Sequence, residues 1–465
     1  MSKLRAIDHK GYKLLHNGAI ALAQVEQNGM KVDEKYLMST LRHLEDDIEE
    51  KQIQLKKDEV FKTWKKVFGG RTNLGSRYQL GTILFKHLGY HCPAYTLKTG
   101  QPKTDESALE TVDLDFVHDF LTVERLKKTK STYLEGILKY TDNGFLHPSF
   151  NLHLAQTYRS SSDSPNFQNM PIRNPVISKL VRQCFVSRFP NGQICEADYG
   201  GIEVKAAAWY HKDPTMLKYI EDDSKDMHRD MAQECYLLPL HEMTKEIRYC
   251  GKNKFVFPEF YGDFYIHCAK SLWDAIGQMN LKTKSGVSLK KWLRSKGIKK
   301  LGSCNPKMPA RPGTFAYHIK KVEDRFWNDR FYVYKKWKDE WWKAYRKTGR
   351  FNLLTGFEIE GFYKRNEVIN YPVQGVAFHC LLWALIRLQK LLKKYKMKSC
   401  IIGQIHDSIV SDILENERDD YIEIINNVMI NDLKKHWKFI ITPMEIEIEI
   451  SPVGTSWFEK EKIIV

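Results

Sequence analysis

Between residues 444 and 450, Met444, Ile446, Ile448 and Ile450 alternate strictly with Glu445, Glu447 and Glu449. A two-residue period sends the two sets to opposite faces, so the stretch predicts a strand in a sheet with one wet face. Two apolar runs around 399–410 flank His406-Asp407-Ser408 and read as a hairpin with Asp407 at its tip. A third run, Ile194 to Ala197, delivers Asp198, after which Gly200-Gly201 bends the chain into a helical pattern over 202–209. The chain up to about residue 140 reads mostly as helix. Within it, 45–68 has the acid and lysine spacing of one solvated helix, and Asn73-Leu74-Gly75-Ser76 signals a cap before a further helical run. Residues 98–104 read as a basic, hydroxyl-rich loop. Extended segments begin near 145, with a strand expected over 152–157 and a polar loop over 158–169. Residues 226–350 look helical and strongly aromatic, and Pro372 announces a helix over 371–388.

Composition narrows the class. A chain of 465 residues is too long for one ordinary core and should form two or three packed units. The 73 Lys and Arg against 57 Asp and Glu leave a formal charge of +16, which points to a polyanion, nucleic acid ahead of a membrane surface. The nine cysteines show no CxxC pair or zinc spacing, as expected of reduced core residues in a cytosol-like compartment. The longest apolar stretch, 377–388, is shorter than a bilayer span and carries an Arg. A soluble, intracellular protein without a membrane partner is the expectation.

Candidate chemistry gathers on a few residues. Asp198 and Asp407 each end an extended segment. If their strands are antiparallel neighbours, the two carboxylates converge on a pair of divalent ions, an arrangement suited to phosphoryl transfer. Taken alone, Asp198 also reads as an ordinary helix cap. Arg248 and Lys252, four apart, share a helix face and could hold a triphosphate. The densest basic stretch, 280–300, reads as a helix–turn–helix that tracks a nucleic-acid backbone or as a solvated insertion.

The order of the motifs identifies a family. DYGGIE (Asp198 to Glu203) resembles motif A of the family A DNA polymerases. Arg248-x3-Lys252 followed by Phe257 and Tyr261-Gly262 resembles motif B, and Gln404-Ile405-His406-Asp407 resembles motif C. The loop Arg159-Ser160-Ser161-Ser162-Asp163-Ser164-Pro165-Asn166-Phe167-Gln168-Asn169 and the segment Asn370-Tyr371-Pro372-Val373-Gln374-Gly375 are similar to two further family stretches. The resemblance implies an α+β right-hand fold with an antiparallel palm and helical fingers and thumb. The implied divisions are 1–144 for the N-terminal segment and thumb, 145–204 and 366–465 for the palm, and 205–365 for the fingers with a basic insertion near 280–300.

Template-directed addition of dNMP to a primer 3′ end is the implied activity, with two Mg²⁺ ions for which Mn²⁺ could substitute. Asp198, Asp407 and the Tyr199 carbonyl would be the metal ligands. His228, Arg248 and Lys252 would hold the triphosphate. Glu203 against Tyr261 would bar a ribose 2′-hydroxyl, with Phe257 flanking the nucleotide and Tyr261 at the templating position. Arg159, Asn166, Gln168, Asn169, Asn370, Gln374, Gln404 and His406 would contact primer–template DNA. A replicative phage enzyme of the host cytoplasm is the expected setting, with a bacterial or plasmid source as the alternative. Editing is expected on a separate protein, because only a short leader precedes the first family-like residues, and a helicase or processivity factor is a further candidate partner.

The sequence departs from the family pattern in places. Motif B carries one residue too many before Phe257, with Pro258 next, so a bulge in that helix is expected. Ser408 stands where the family has an acid, and the span 262–349 is unusually long. A single-subunit RNA polymerase, whose motif C also tends to read HDS, and an inactive nucleic-acid-binding relative are the rival readings. Glu203 argues against the first and the intact Asp198, Asp407, Arg248 and Lys252 against the second.

Overall fold

The computed structural model describes residues 3–92, 94–96, 99–172 and 174–464. Lys98 of the expected basic loop lies outside them. The N-terminal part is helical, and acidic or hydroxyl residues start its helices. Asp8 caps His9–Asn28, Asp33 caps Glu34–Lys57 and Ser76 caps Arg77–Gly81, each side chain accepting from a backbone N–H of the first turn. The single helix expected over 45–68 is two. Asp58 takes an extended conformation (ψ 148°), ending Glu34–Lys57 while its carboxylate caps Glu59–Phe68. Leu55, Trp64, Leu84, Phe116 and Phe120 belong to a small core here, separate from the main one.

The main core is built on a five-stranded antiparallel sheet. Its spatial order is Cys400–Ile405, Ser408–Leu414, Gly192–Tyr199, Ile446–Ile450, Glu461–Ile463. The alternation read from the sequence holds, with Ile448 and Ile450 buried and Glu447 exposed. No strand forms over 152–157. Short strands Ser149–Asn151 and Ser161–Asp163 pair instead, and 152–157 lies in the connection between them.

The helix expected over 371–388 runs from Arg365 to Lys394, with Pro372 inside it. A proline there removes one hydrogen bond and orphans the carbonyl four residues back. That carbonyl, on Val368, accepts the indole N–H of Trp341 at 3.1 Å instead. This helix is long and apolar enough to cross a membrane, but 72% of its apolar window is buried within the protein, as in a core helix.

The basic stretch is not a helix–turn–helix. It holds one short helix, Leu289–Ser295, pinned by the bridges Lys282↔Ser288 and Lys300↔Thr314. An aromatic cluster of Phe260, Phe326, Trp327, Phe331 and Tyr334 joins the segment that follows to the helices around Tyr261.

Candidate active site

Asp198 and Asp407 meet because the strands that carry them are neighbours. Ser408 faces Asp198 in register, and the Tyr199 N–H donates to the Asp407 carbonyl at 3.3 Å. His406 takes a left-handed conformation (φ 48°) to make the tight turn that presents Asp407. Asp198 is exposed as a residue, although protein surrounds its carboxyl. Burial of its carboxyl and then the charge of Asp407 push its pKa up to about 7, and burial also raises Asp407, against Arg159 and His406. The charge of Asp407 thus disfavours ionisation of Asp198, and such a pair is a donor set that a hard divalent cation fits, because its charge removes the repulsion. The Tyr199 side chain is buried and donates to the Met429 carbonyl at 3.0 Å, so only its main chain can join such a site. No group of three or more candidate metal ligands occurs among the described residues.

The serine that replaces the expected acid has a partner that motif reading missed. Ser408 donates to Glu196 at 3.0 Å, and Glu196 also accepts from Trp457 at 3.0 Å and Lys460 at 2.5 Å. Burial alone would raise Glu196, but Lys460, Arg182 and Trp457 outweigh it and hold the carboxyl below its usual value. A third carboxylate therefore sits two residues before Asp198, on the strand across from Ser408. Glu196, an acid in the middle of a buried apolar strand, was the available signal.

Glu203 lies in the first turn of the helix Ile202–His211. That helix starts from Gly201 in the left-handed region (φ 60°), where glycine is favoured. The Glu203 carboxylate accepts from both the Arg159 guanidinium and the Tyr261 hydroxyl. Glu203, Phe257, Tyr261, Asn370 and Asp407 line one cavity of about 250 Å³.

The extra residue of motif B is absorbed as expected. The helix Lys245–Gly251 passes into a π-helical turn, Lys252–Val256, before Phe257–Tyr261. A π turn accommodates one surplus residue without breaking the helix. Pro258 is the second residue of the last piece, directly after the π turn. Arg248 pairs with Asp226 at 2.5 Å, and Lys252 lies 5.1 Å above the Phe257 ring. His228 meets the same ring edge-on at 5.5 Å. Burial, then Lys252 and Arg248, lower His228 to about 4, so it is neutral at pH 7.

The remaining sequence candidates divide by exposure. Asn166, Asn169 and His406 are exposed or half-buried, and Gln168, Asn370 and Gln374 are half-buried. Gln404 departs from expectation. It is 1% exposed, accepts from Ser160 and Gln168 at 2.7 Å each, and donates to the His406 carbonyl at 2.7 Å. Both ends of its amide are spent inside the protein, tying the polar loop to the turn of Asp407. Arg159 is likewise engaged with Glu203 rather than free.

The model of DNA polymerase family A matches residues 39–279 and 350–459. The chain is 27% identical over 447 residues to DNA polymerase I of Bacillus subtilis (strain 168), covering 95% of this chain and 45% of that protein. It is 26% identical to the thermostable DNA polymerase I of Thermus filiformis, over 95% of this chain and 47% of that one. To the DNA polymerase of Bacillus phage SP01 it is 25% identical, over 84% and 41%. The chain thus spans less than half the length of these relatives. The polymerase domain of Pol1 from M. smegmatis, solved with DNA primer-template and dNTP, superposes with a TM-score of 0.72 at 23% identity, over 96% of this chain and 70% of that one. This similarity shows a shared right-hand α+β fold.

Proposed function

The chain belongs to DNA polymerase family A, and on that premise we propose that it is a DNA-directed DNA polymerase that adds dNMP to the 3′ end of a primer. The observation that carries the reading is the convergence of Asp198 and Asp407 from neighbouring strands beside a cavity walled by Glu203 and Tyr261. Asp198, Asp407 and the Tyr199 carbonyl would hold two divalent ions, Mg²⁺ or in its place Mn²⁺. Those ions supply the charge that activates the attacking oxygen and stabilises the leaving one.

The protein's own groups bind and orient. Lys252 and Arg248, with neutral His228 as a hydrogen-bond donor, take the triphosphate once Arg248 exchanges Asp226 for phosphate. Phe257 packs against the nucleotide, and Tyr261 occupies the templating position. Glu203, fixed by Arg159 and Tyr261, fills the space of a 2′-hydroxyl. Asn166, Gln168, Asn169, Asn370, Gln374 and His406 touch primer–template DNA, with Gln404 and Arg159 setting the positions of their neighbours.

In this reading residues 1–144 contain the thumb, 145–204 and 366–465 the palm, and 205–365 the fingers. Nine free cysteines support a reducing, cytoplasmic setting, the similarity to a phage DNA polymerase supports a phage origin, and a partner helicase, exonuclease or processivity factor is part of the proposal. Primer extension by the purified chain with Mg²⁺ and either dNTPs or rNTPs tests the reading. Extension with dNTPs alone, lost in Asp407→Ala, is the expected result. Extension that prefers rNTPs, or that survives Asp407→Ala, would overturn it.

A further inference from the structure

Residues 280–349, which fall between the two family-matching parts, hold 20 Lys and Arg against 5 Asp and Glu. Their net +15 is nearly the whole +16 of the chain. Between 281 and 311 there are ten basic residues and no acid, and all ten side chains are exposed. Among the described residues, none of these ten lies within ion-pair distance of a carboxylate, whereas Arg325 and Arg330 further on both pair with Glu234.

This is a folded surface and not a tail. Leu281, Leu289, Leu293 and Ile298 are buried beneath it. Trp292 donates to the Leu237 carbonyl at 3.1 Å, and Glu242 accepts from the Ser285 N–H at 2.9 Å. A folded patch of unpaired like charges repels itself, a cost that a polyanion offsets.

The position of the patch selects the polyanion. It begins at the far end of the helix Tyr265–Gln278, whose near end follows directly on Tyr261 and Gly262. Fourteen residues make that helix about 21 Å long. The helix Phe315–Arg325 lies antiparallel to it, with Glu323 accepting from the Tyr265 N–H at 2.7 Å and Phe315 packed 5.3 Å from Trp273. A cavity of about 370 Å³ at the near end is lined by acids as well as bases, with Glu259, Glu323 and Asp339 beside Lys335, Lys338 and Arg365. At the far end Lys290 joins Lys270 and Lys254, and all three oppose the burial that raises Asp274. Lys254 sits on the π turn of the nucleotide helix, so the basic charge of the patch reaches that helix. Lys296 over Trp292 at 4.8 Å and Lys321 over Tyr317 at 4.9 Å set cations on aromatic rings. Cations interleaved with rings suit single strands, whose bases are free to stack.

We propose that residues 280–311 form a second nucleic-acid-binding surface that holds the single-stranded template ahead of the nucleotide-insertion site. The inference rests on the polymerase reading for the direction of the strand.

Its test is fluorescence anisotropy of primer–template DNA bearing a one-nucleotide or a long oligo-dT 5′ template overhang, measured across a salt series. The wild-type chain should bind the long overhang more tightly. The variant K290S/K291S/R294S/K296S should lose that gain, with a log–log salt slope lower by about 3 if all four contact phosphate, at about 0.7 per single-strand phosphate. Insertion of one dNMP opposite the one-nucleotide overhang should be unchanged, and K290R/K291R/R294K/K296R should bind as wild type does. Equal affinity for both overhangs in the wild type, or a gain retained in the serine variant, overturns the proposal. Binding of poly-glutamate without any overhang gain also overturns it and assigns the patch to an acidic protein. Absence of dNMP insertion by the wild type would defeat the polymerase reading separately, since the anisotropy comparison needs no catalysis.

Discussion

Replacing Glu203 by alanine isolates the proposed sugar gate. The Glu203 carboxylate accepts from the Arg159 guanidinium and the Tyr261 hydroxyl at the wall of the 250 Å³ cavity. A nucleotide 2′-hydroxyl entering there must push the carboxylate off at least one partner. Hydrogen bonds to charged groups contribute about 1.5–3 kcal/mol each. Losing one or both therefore costs a ribonucleotide about 1.5–6 kcal/mol, or about ten-fold to 10⁴-fold at 1.36 kcal/mol per decade. Glu203→Ala removes the cost along with the carboxylate. The ratio of kcat/KM for dNTP over rNTP, measured by single-nucleotide insertion in Mg²⁺, should fall by a factor within that range, while dNTP insertion falls much less. Tyr261→Phe, which deletes one of the two donors, should give an intermediate loss of selectivity. If Glu203→Ala inserted dNTPs at near wild-type rate with its selectivity intact, the gate assignment would be wrong.

Three further outcomes follow from particular contacts. Trp341→Phe should destabilise the chain by about 1–3 kcal/mol, because it orphans the Val368 carbonyl that Pro372 cannot serve. In a Pro372→Ala background, where the new residue supplies the missing N–H, the same change should cost much less, and strictly additive denaturant-unfolding energies would refute the compensation. Ser408→Glu should lower both Tm and primer extension by setting a second acid against buried Glu196, where an unpaired buried charge costs about 3–5 kcal/mol. The exchange Ser408→Glu with Glu196→Ser should recover part of each, and a double variant worse than both singles would count against a shared carboxylate position. For His228, the folded pKa near 4 lies below the usual 6.5, so the unfolded chain takes up the proton first. Its contribution to stability is complete above about pH 6.5 and is lost as pH falls towards 4. His228→Gln should flatten the decline of Tm in that window, and superimposable pH–Tm curves would sink the assignment of a buried neutral imidazole.

Features whose signals are local were legible in the sequence. The period-2 alternation over 446–450, the break at His406-Asp407 and the paired glycines after Asp198 each specify a short-range backbone geometry, and the structure follows all three. The surplus residue in motif B predicts a bulge by counting, and the chain absorbs it as a π turn. Features that depend on partners distant in sequence were settled only by the folded chain. Pro372 reads as a helix start because its lost hydrogen bond is a local cost, and only the arrival of Trp341 from a separate helix lets the chain run through it. Gln404 is assigned a DNA contact only through its place in the family's motif C. Ser160 and Gln168, more than 200 residues away, turn it inward. Glu196 looks misplaced in an apolar strand until Ser408, Trp457 and Lys460 close around it. Burial and pairing are sums over residues that only the folded chain brings together, and the chemistry of the Asp198–Asp407 pair is set by those sums.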